Sequence, residues 1–267
     1  MTDTAGDVSV LCVVDVWGVT QLHDVVYIVC SGSSTISRFN ARTQQRLTDI
    51  DVKDLSLPYD IVACERTSQI YVADSQECIW RVSSDGVNIT RWLPKSPSDT
   101  FKPWTLSVTS TRLLVTSFRS RQLMQFDADG DELRCVQLPD DMKPWHAVES
   151  PAGTFIVSRY NTPLDQYQVA EVNTGGEVLR QFSGSRLPSL GLTPRVAVDS
   201  HGNIFVADHD NRCILLLDSR LTLRRTVIDK HQLNYTRPSR LCYIEQSGQL
   251  LVGLLQGGVA VFDMLCR

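Results

Sequence analysis

The sequence predicts an all-β fold: a closed six-bladed β-propeller of four-stranded antiparallel blades, with an N-terminal strand completing the last blade. Three observations predict it. First, one phrase recurs from end to end, a Pro-led apolar strand, a polar loop and a second apolar strand. Its anchors Trp17, Pro58, Pro103, Pro144, Pro194 and Pro238 stand 41, 45, 41, 50 and 44 residues apart. Periods of that size mark propellers or solenoids. Second, no segment keeps a helical period of apolar residues, so helix content should be very low. Third, the last repeat is one strand short, while an unassigned strand at 8–14 precedes the first. A ring uses that orphan strand and removes open sheet edges; a solenoid would instead need capped ends.

The repeats span roughly 15–56, 57–101, 102–142, 143–192, 193–236 and 237–267 and form a single domain. The first and weakest begins Val16-Trp-Gly-Val-Thr and returns as Val26-Tyr-Ile-Val-Cys30. The second reads Leu57-Pro-Tyr-Asp-Ile-Val-Ala-Cys, then Gln69-Ile-Tyr-Val-Ala-Asp74. Lys102-Pro-Trp-Thr-Leu-Ser-Val and Leu113-Leu-Val-Thr-Ser117 make the third; Lys143-Pro-Trp-His-Ala-Val and Phe155-Ile-Val-Ser158 the fourth. The fifth shows four strands in full, at 195–199, 204–207, 213–217 and 223–228. Arg237-Pro-Ser-Arg-Leu-Cys-Tyr and Leu250-Leu-Val-Gly253 open the sixth. His201-Gly-Asn203 and Ala128-Asp-Gly130 are hairpin signals, because Gly and Asn tolerate positive φ.

Composition bounds the function. The chain has 267 residues, 42% hydrophobic and 21% charged, enough to bury a large core,. A net charge of −4 excludes a uniformly basic surface, though not one basic face,. No apolar run approaches the ~18 residues of a membrane span. The polar, acidic start at Met1 lacks the marks of a signal peptide,. None of the eight Cys forms a Cys-x-x-Cys pair. Most fall in apolar strands, with Cys64 and Cys242, and likewise Cys78 and Cys213, at matching sites of separate repeats. Buried free thiols in a reducing cytoplasm are therefore expected, against the mild pull towards secretion of two sequons at Asn88 and Asn234,.

The fifth repeat, Pro194-Arg-Val-Ala-Val-Asp-Ser-His-Gly-Asn-Ile-Phe-Val-Ala-Asp-His-Asp-Asn211, resembles an NHL repeat. The second keeps Tyr71-Val-Ala-Asp74, and the other four keep the rhythm but few of the letters. Cys78 and Cys213 stand where the family usually has Arg. The resemblance implies a propeller of the kind found behind the RING finger, B-boxes and coiled coil of tripartite-motif proteins. This chain has no Cys/His cluster of zinc-finger spacing,, so ubiquitin-ligase chemistry would belong to other parts of a longer protein.

The resemblance further implies that one face binds partners: the face built by the loops leading into the innermost strands and those between second and third strands. The lead-in loops carry Tyr59, Lys102, Trp104, Lys143, Trp145, His146, Arg195, Arg237 and Arg240. The second-to-third loops carry Arg119, Arg121, Arg159, Tyr160 and His209, with the acids Asp74, Glu77, Asp208 and Asp210. Counting Asp60, eight Lys/Arg meet five acids, an expected excess of three positive charges. Arg mixed with Trp and Tyr is the composition of protein-interface hot spots. It also suits single-stranded RNA, where bases stack and phosphates pair. The expected function is thus a recognition platform for a protein partner, with single-stranded RNA as the second reading.

A propeller hydrolase or lyase is the least supported reading. Of His23, His146, His201, His209 and His231, only His146 and His209 should approach the proposed face, and two His in different blades make a poor zinc site,. No Gly-x-Ser-x-Gly elbow, P-loop or His-Glu-x-x-His occurs,. The sequence therefore calls for no catalytic residue, metal, cofactor or membrane, and for a domain that is not an enzyme.

Overall fold

A computed structural model describes residues 15–92, 101–109, 112–183 and 190–264. Every helix-or-strand element among them is a strand. Blade 1 comprises β1 (Val16–Leu22), β2 (Val25–Cys30), β3 (Thr35–Asn40) and β4 (Ile50–Asp51). Blade 2 comprises β5 (Pro58–Cys64), β6 (Gln69–Asp74), β7 (Cys78–Ser83) and β8 (Ile89–Trp92). Blade 3 has β9 (Thr105–Val108), β10 (Leu113–Ser117), β11 (Gln122–Phe126) and β12 (Glu132–Gln137). Blade 4 has β13 (Met142–Glu149), β14 (Phe155–Asn161), β15 (Gln166–Val172) and β16 (Val178–Phe182). In blade 5 run β17 (Arg195–Val198), β18 (Ile204–Asp208), β19 (Cys213–Leu217) and β20 (Leu223–Ile228). Blade 6 shows β21 (Arg237–Ile244), β22 (Gln249–Leu255) and β23 (Gly258–Asp263). Sequence neighbours are sheet neighbours throughout, paired antiparallel. The strand expected at 8–14 to complete blade 6 lies outside the described residues.

The first strands of the blades pack in a ring, β1 on β5, β5 on β9, β9 on β13, β13 on β17, β17 on β21, and β21 on β1. Six apolar cores fill the six gaps between blades. The one that closes the circle joins Val16, Ile28 and Phe39 of blade 1 to Leu251 and Val259 of blade 6. Ser239 Oγ donates to the Val16 carbonyl at 2.7 Å across the same joint. Each blade is thus covered on both faces. That is why β2, β6, β10, β14 and β18 are buried almost from end to end rather than at alternate residues,.

Two local devices shape the loop face. The pairing register of the innermost strand slips once in blades 1, 2, 4 and 6, at Val16/Gly18, Pro58/Asp60, Pro144/His146 and Pro238/Arg240. Such a bulge turns the extra residue out of the ladder: Trp17, Tyr59, Trp145 and Ser239. The structural equivalent of Pro58 is therefore Val16, not Trp17, which shifts the expected anchor of the first repeat by one residue. Gly18 is required where blades 1 and 2 approach, since a Cβ there would lie 2.7 Å from the Ile61 nitrogen. In the loops before the third strands, Glu77, Arg121, Asp165, Arg212 and Gln256 all take left-handed φ between 51° and 61°, the same turn repeated in five blades.

The Val-Ala-Asp strand ends owe their Asp to this loop geometry. The buried Asp74 carboxylate accepts the Ser56 and Leu57 N–H groups at 3.2 and 3.0 Å and the Trp80 indole at 3.3 Å. Asp208 accepts from Gly191 N–H and Asn211 Nδ2 at 3.1 and 2.8 Å. Both acids tie a lead-in loop to its own blade, and neither is a surface charge. Replacing Asp74 with Ala strands those donors and should cost about 2 kcal/mol. Equilibrium urea unfolding measures it, and an unchanged midpoint would refute the role.

Six cysteines lie among the described residues, none of them in a disulfide. Cys30, Cys64 and Cys78 are buried, but Cys135 is exposed on an outermost strand. Cys64 and Cys242 do not match as expected: Cys64 ends its strand opposite Gln69, whereas Cys242 sits mid-strand opposite Leu251.

Candidate functional site

The bulges place Trp17, Tyr59, Trp145 and Ser239 at the rim of the central channel, and Trp104, just ahead of β9, takes the same place in blade 3. Four of these are aromatic and successive, and their rings meet. Trp17 stacks on Tyr59 at 5.9 Å between centroids, Tyr59 meets Trp104 at 4.4 Å, and Trp104 meets Trp145 at 6.0 Å. Phe118, from the β10–β11 loop, wedges against Trp145 at 4.8 Å. Tyr167 continues the chain 6.5 Å from Trp145, and Tyr160 ends it 5.2 Å further on. The result is a seven-ring arc over blades 1 to 4, every ring half-buried. Lead-in and second-to-third loops therefore do share a face.

The expected positive charge of that face is largely spent internally. Lys102 pairs with Glu77, and Arg121 with Asp140 at 2.6 Å. Arg159 is buried, donating to Gln181 at 2.8 Å and facing Asp141 at 3.9 Å. Asp140 and Asp141 were outside the sequence-based charge count. Lys143 lies 6.0 Å over the Tyr160 ring. His209 pairs with Asp210 at 2.8 Å. Arg119 and Arg237 are exposed, with no ion pair among the described residues.

Three expected face residues, His146, Arg195 and Arg240, are instead buried in the channel. At one level of the ladder the innermost strands present Gly18, Asp60, Thr105, His146, Arg195 and Arg240 in turn, opposite Val29, Ala73, Thr116, Ser158, Ala207 and Gly253. Asp60 accepts the Ile61 and Leu106 N–H groups at 3.0 and 3.1 Å and faces Arg240 Nε at 3.5 Å. Arg240 also donates to the Ser239 and Tyr59 carbonyls, so it is clamped beneath the aromatic arc. Arg195 reaches in from blade 5 and donates Nη1 to the Trp145 carbonyl at 2.9 Å. His146 takes the Val196 N–H on Nδ1 at 3.4 Å and meets the Leu106 carbonyl with Nε2 at 3.3 Å, an arrangement that suits the neutral ring protonated on Nε2.

Burial sets the electrostatics of this cluster. It pushes the Asp60 carboxyl up, against the pull of Arg240 and Arg195. It holds the His146 imidazole well below its ordinary value, helped by the two guanidiniums. It also lowers Arg195, which Arg240 repels and Asp60 supports. Among the described residues no three His, Cys, Asp or Glu side chains converge as metal ligands, and no helix is long and apolar enough to cross a membrane.

Sequence reasoning missed Trp17, Phe118 and Tyr167. Trp17 was legible, one residue after the blade-1 equivalent of the proline, had the first repeat been aligned one residue earlier. Phe118 lies in the β10–β11 loop and Tyr167 on β15, away from the proline-led positions that the repeat marks.

The ring of six blades makes this chain a six-bladed β-propeller. No family model and no curated protein sequence matches it. Solved structures do match the fold. A catalytically inactive virginiamycin B lyase from Staphylococcus aureus, with quinupristin, is 14% identical with a TM-score of 0.67, over 92% of this chain and 79% of that one. Hydrazine synthase of Kuenenia stuttgartiensis is 13% identical at 0.69, over 100% and 99%. A nidogen/laminin complex gives 15% and 0.65, over 94% and 86%. At these identities the likeness establishes the fold. Its bearers include a lyase and a synthase, which overturns the expectation that a chain of this build is not an enzyme.

Proposed function

We propose that the loop face is a recognition platform for a protein partner, with the seven-ring aromatic arc as its anchor. The arc is the observation that carries this reading. Contiguous Trp and Tyr rings around a concave rim are the composition of interface hot spots. The indole N–H groups of Trp17, Trp104 and Trp145 have no acceptor among the described residues. Each such group costs about 1–3 kcal/mol, a cost proteins tend to tolerate where residues serve function rather than stability. Arg119, Arg237, Tyr59, Lys143 and Tyr160 complete the rim. The nidogen structure that shares the fold is of a complex with laminin, which supports a protein as the partner class. The NHL-like letters of the fifth repeat further support an NHL-type domain that recruits partners for a larger tripartite-motif-like protein in the cytoplasm.

A photo-crosslinking amino acid at Phe118 should trap a partner in cells, and one at Gln246 on the opposite face should not. Trp104→Ala and Trp145→Ala should each weaken that capture by about tenfold or more, the scale of a hot-spot loss, with little dependence on salt. Trapping from Gln246 alone, or capture indifferent to both tryptophans, would refute the platform. Submicromolar, salt-sensitive binding of a single-stranded RNA pool to the purified propeller would assign the face to RNA instead.

A further inference from the structure

Beneath the Asp60–Arg240 clamp the channel opens into a cavity of about 780 Å³. Its mouth lies on the face opposite the aromatic arc, among the turns that end the innermost strands, at His23, Glu65, Arg66 and Gln246. The shaft is mostly apolar, walled by Val62, Val148, Val198 and Leu241, with Thr20, Ser107 and Thr109 also lining the cavity. The floor is charged and out of balance. Arg195 and Arg240 are 5% and 9% exposed and share one buried carboxylate, Asp60, at 4%. With His146 neutral, one positive charge has no partner. It belongs to Arg195. Arg240 faces Asp60 at 3.5 Å and donates to two carbonyls, whereas Arg195 makes a single hydrogen bond; the Nε of each is buried without a hydrogen-bond acceptor among the described residues. An uncompensated guanidinium at the end of a mostly apolar shaft is costly unless something pairs with it.

We infer that the channel binds a small monocarboxylate with an apolar body, entering from the face opposite the arc and pairing its carboxylate with Arg195. The volume falls in the range of small-molecule sites. A single unmatched charge calls for a monoanion rather than a phosphate. Glu65, Glu149 and Glu245 around the mouth also disfavour multiply charged anions; they are held by Gln246, Arg112 and Ser200. Arg is suited to carboxylates by its planar fork of donors. This site is separate from the proposed recognition face and does not depend on it.

Benzoate is the probe, with benzyl alcohol as its uncharged counterpart, titrated calorimetrically into the purified propeller. Benzoate should bind with a Kd of about 1 mM or tighter, and benzyl alcohol and inorganic phosphate about tenfold more weakly or not at all. Arg195→Gln should abolish the preference for benzoate over the alcohol. Val198→Trp, which fills the shaft without touching the charged floor, should block binding even if Arg195→Gln fails to fold. Trp104→Ala, on the other face, should leave the benzoate affinity unchanged. No heat with benzoate, equal affinity for the alcohol, or binding that survives Val198→Trp in a folded protein would overturn the site.

Discussion

Replacing Asp60 with Ala is expected to destabilise the propeller by about 3–5 kcal/mol, the usual cost of removing one partner from a buried ion pair. The carboxylate does two jobs. It accepts backbone N–H groups from its own blade and from blade 3, Ile61 and Leu106, so it stitches two blades together. It is also the one buried carboxylate facing Arg240 and Arg195. Its loss strands two donors and leaves two guanidiniums repelling each other in a site they cannot leave. Adding Arg195→Met should recover part of the loss, because it deletes the worse-placed charge; residues in one network are coupled in this way. Equilibrium urea unfolding of the two variants checks both statements. A loss under about 1 kcal/mol for Asp60→Ala would show that the cluster is wet and self-sufficient.

Stability is expected to fall as the pH drops below about 6.5, by about 1.4 kcal/mol per pH unit, because His146 is buried neutral. In the unfolded chain the imidazole takes a proton near its ordinary value. In the folded chain burial and the two neighbouring guanidiniums hold its pKa well below that. Between the two values the unfolded state binds more protons, so acid favours unfolding; above the unfolded value this contribution is complete and flat. Asp60 acts with the opposite sign at lower pH. Its folded pKa is raised, so its contribution is present in acid and lost as pH rises from about 4 towards that raised value. The exposed histidines cancel in a comparison of wild type with His146→Gln. Urea midpoints at pH 7.5, 6.5 and 5.5 should show the variant's profile flatter than the wild type's. Parallel profiles would mean that His146 is not the titrating group.

The blade count and the order of the elements were readable because each blade must bury both faces against its neighbours. That requirement writes an apolar strand pair into the sequence every 41 to 50 residues. The loop face was legible to the same depth, since Tyr59, Trp104 and Trp145 recur at one step from a proline. Side-chain direction was not. Arg195, Arg240 and His146 look like loop cations in sequence, yet all three are buried in the channel, His146 and Arg240 just after a bulge and Arg195 in a regular ladder. Trp17 was missed because it was aligned with the prolines, one residue late, where the bulge puts Val16 in their place. Asp140 and Asp141, which quench the expected basic patch, lie in a connection whose destination depends on how blades 3 and 4 pack.

The sequence by itself thus determined the strand pattern, the six-fold repetition and the aromatic position at the head of blades 2, 3 and 4, because these follow from local periodicity and burial. Only the tertiary structure decided which charges meet. The closing of the ring brings Asp60 of blade 2, His146 of blade 4, Arg195 of blade 5 and Arg240 of blade 6 into one buried cluster. Residues up to 180 positions apart become neighbours only when the circle closes, and no local rule encodes that convergence.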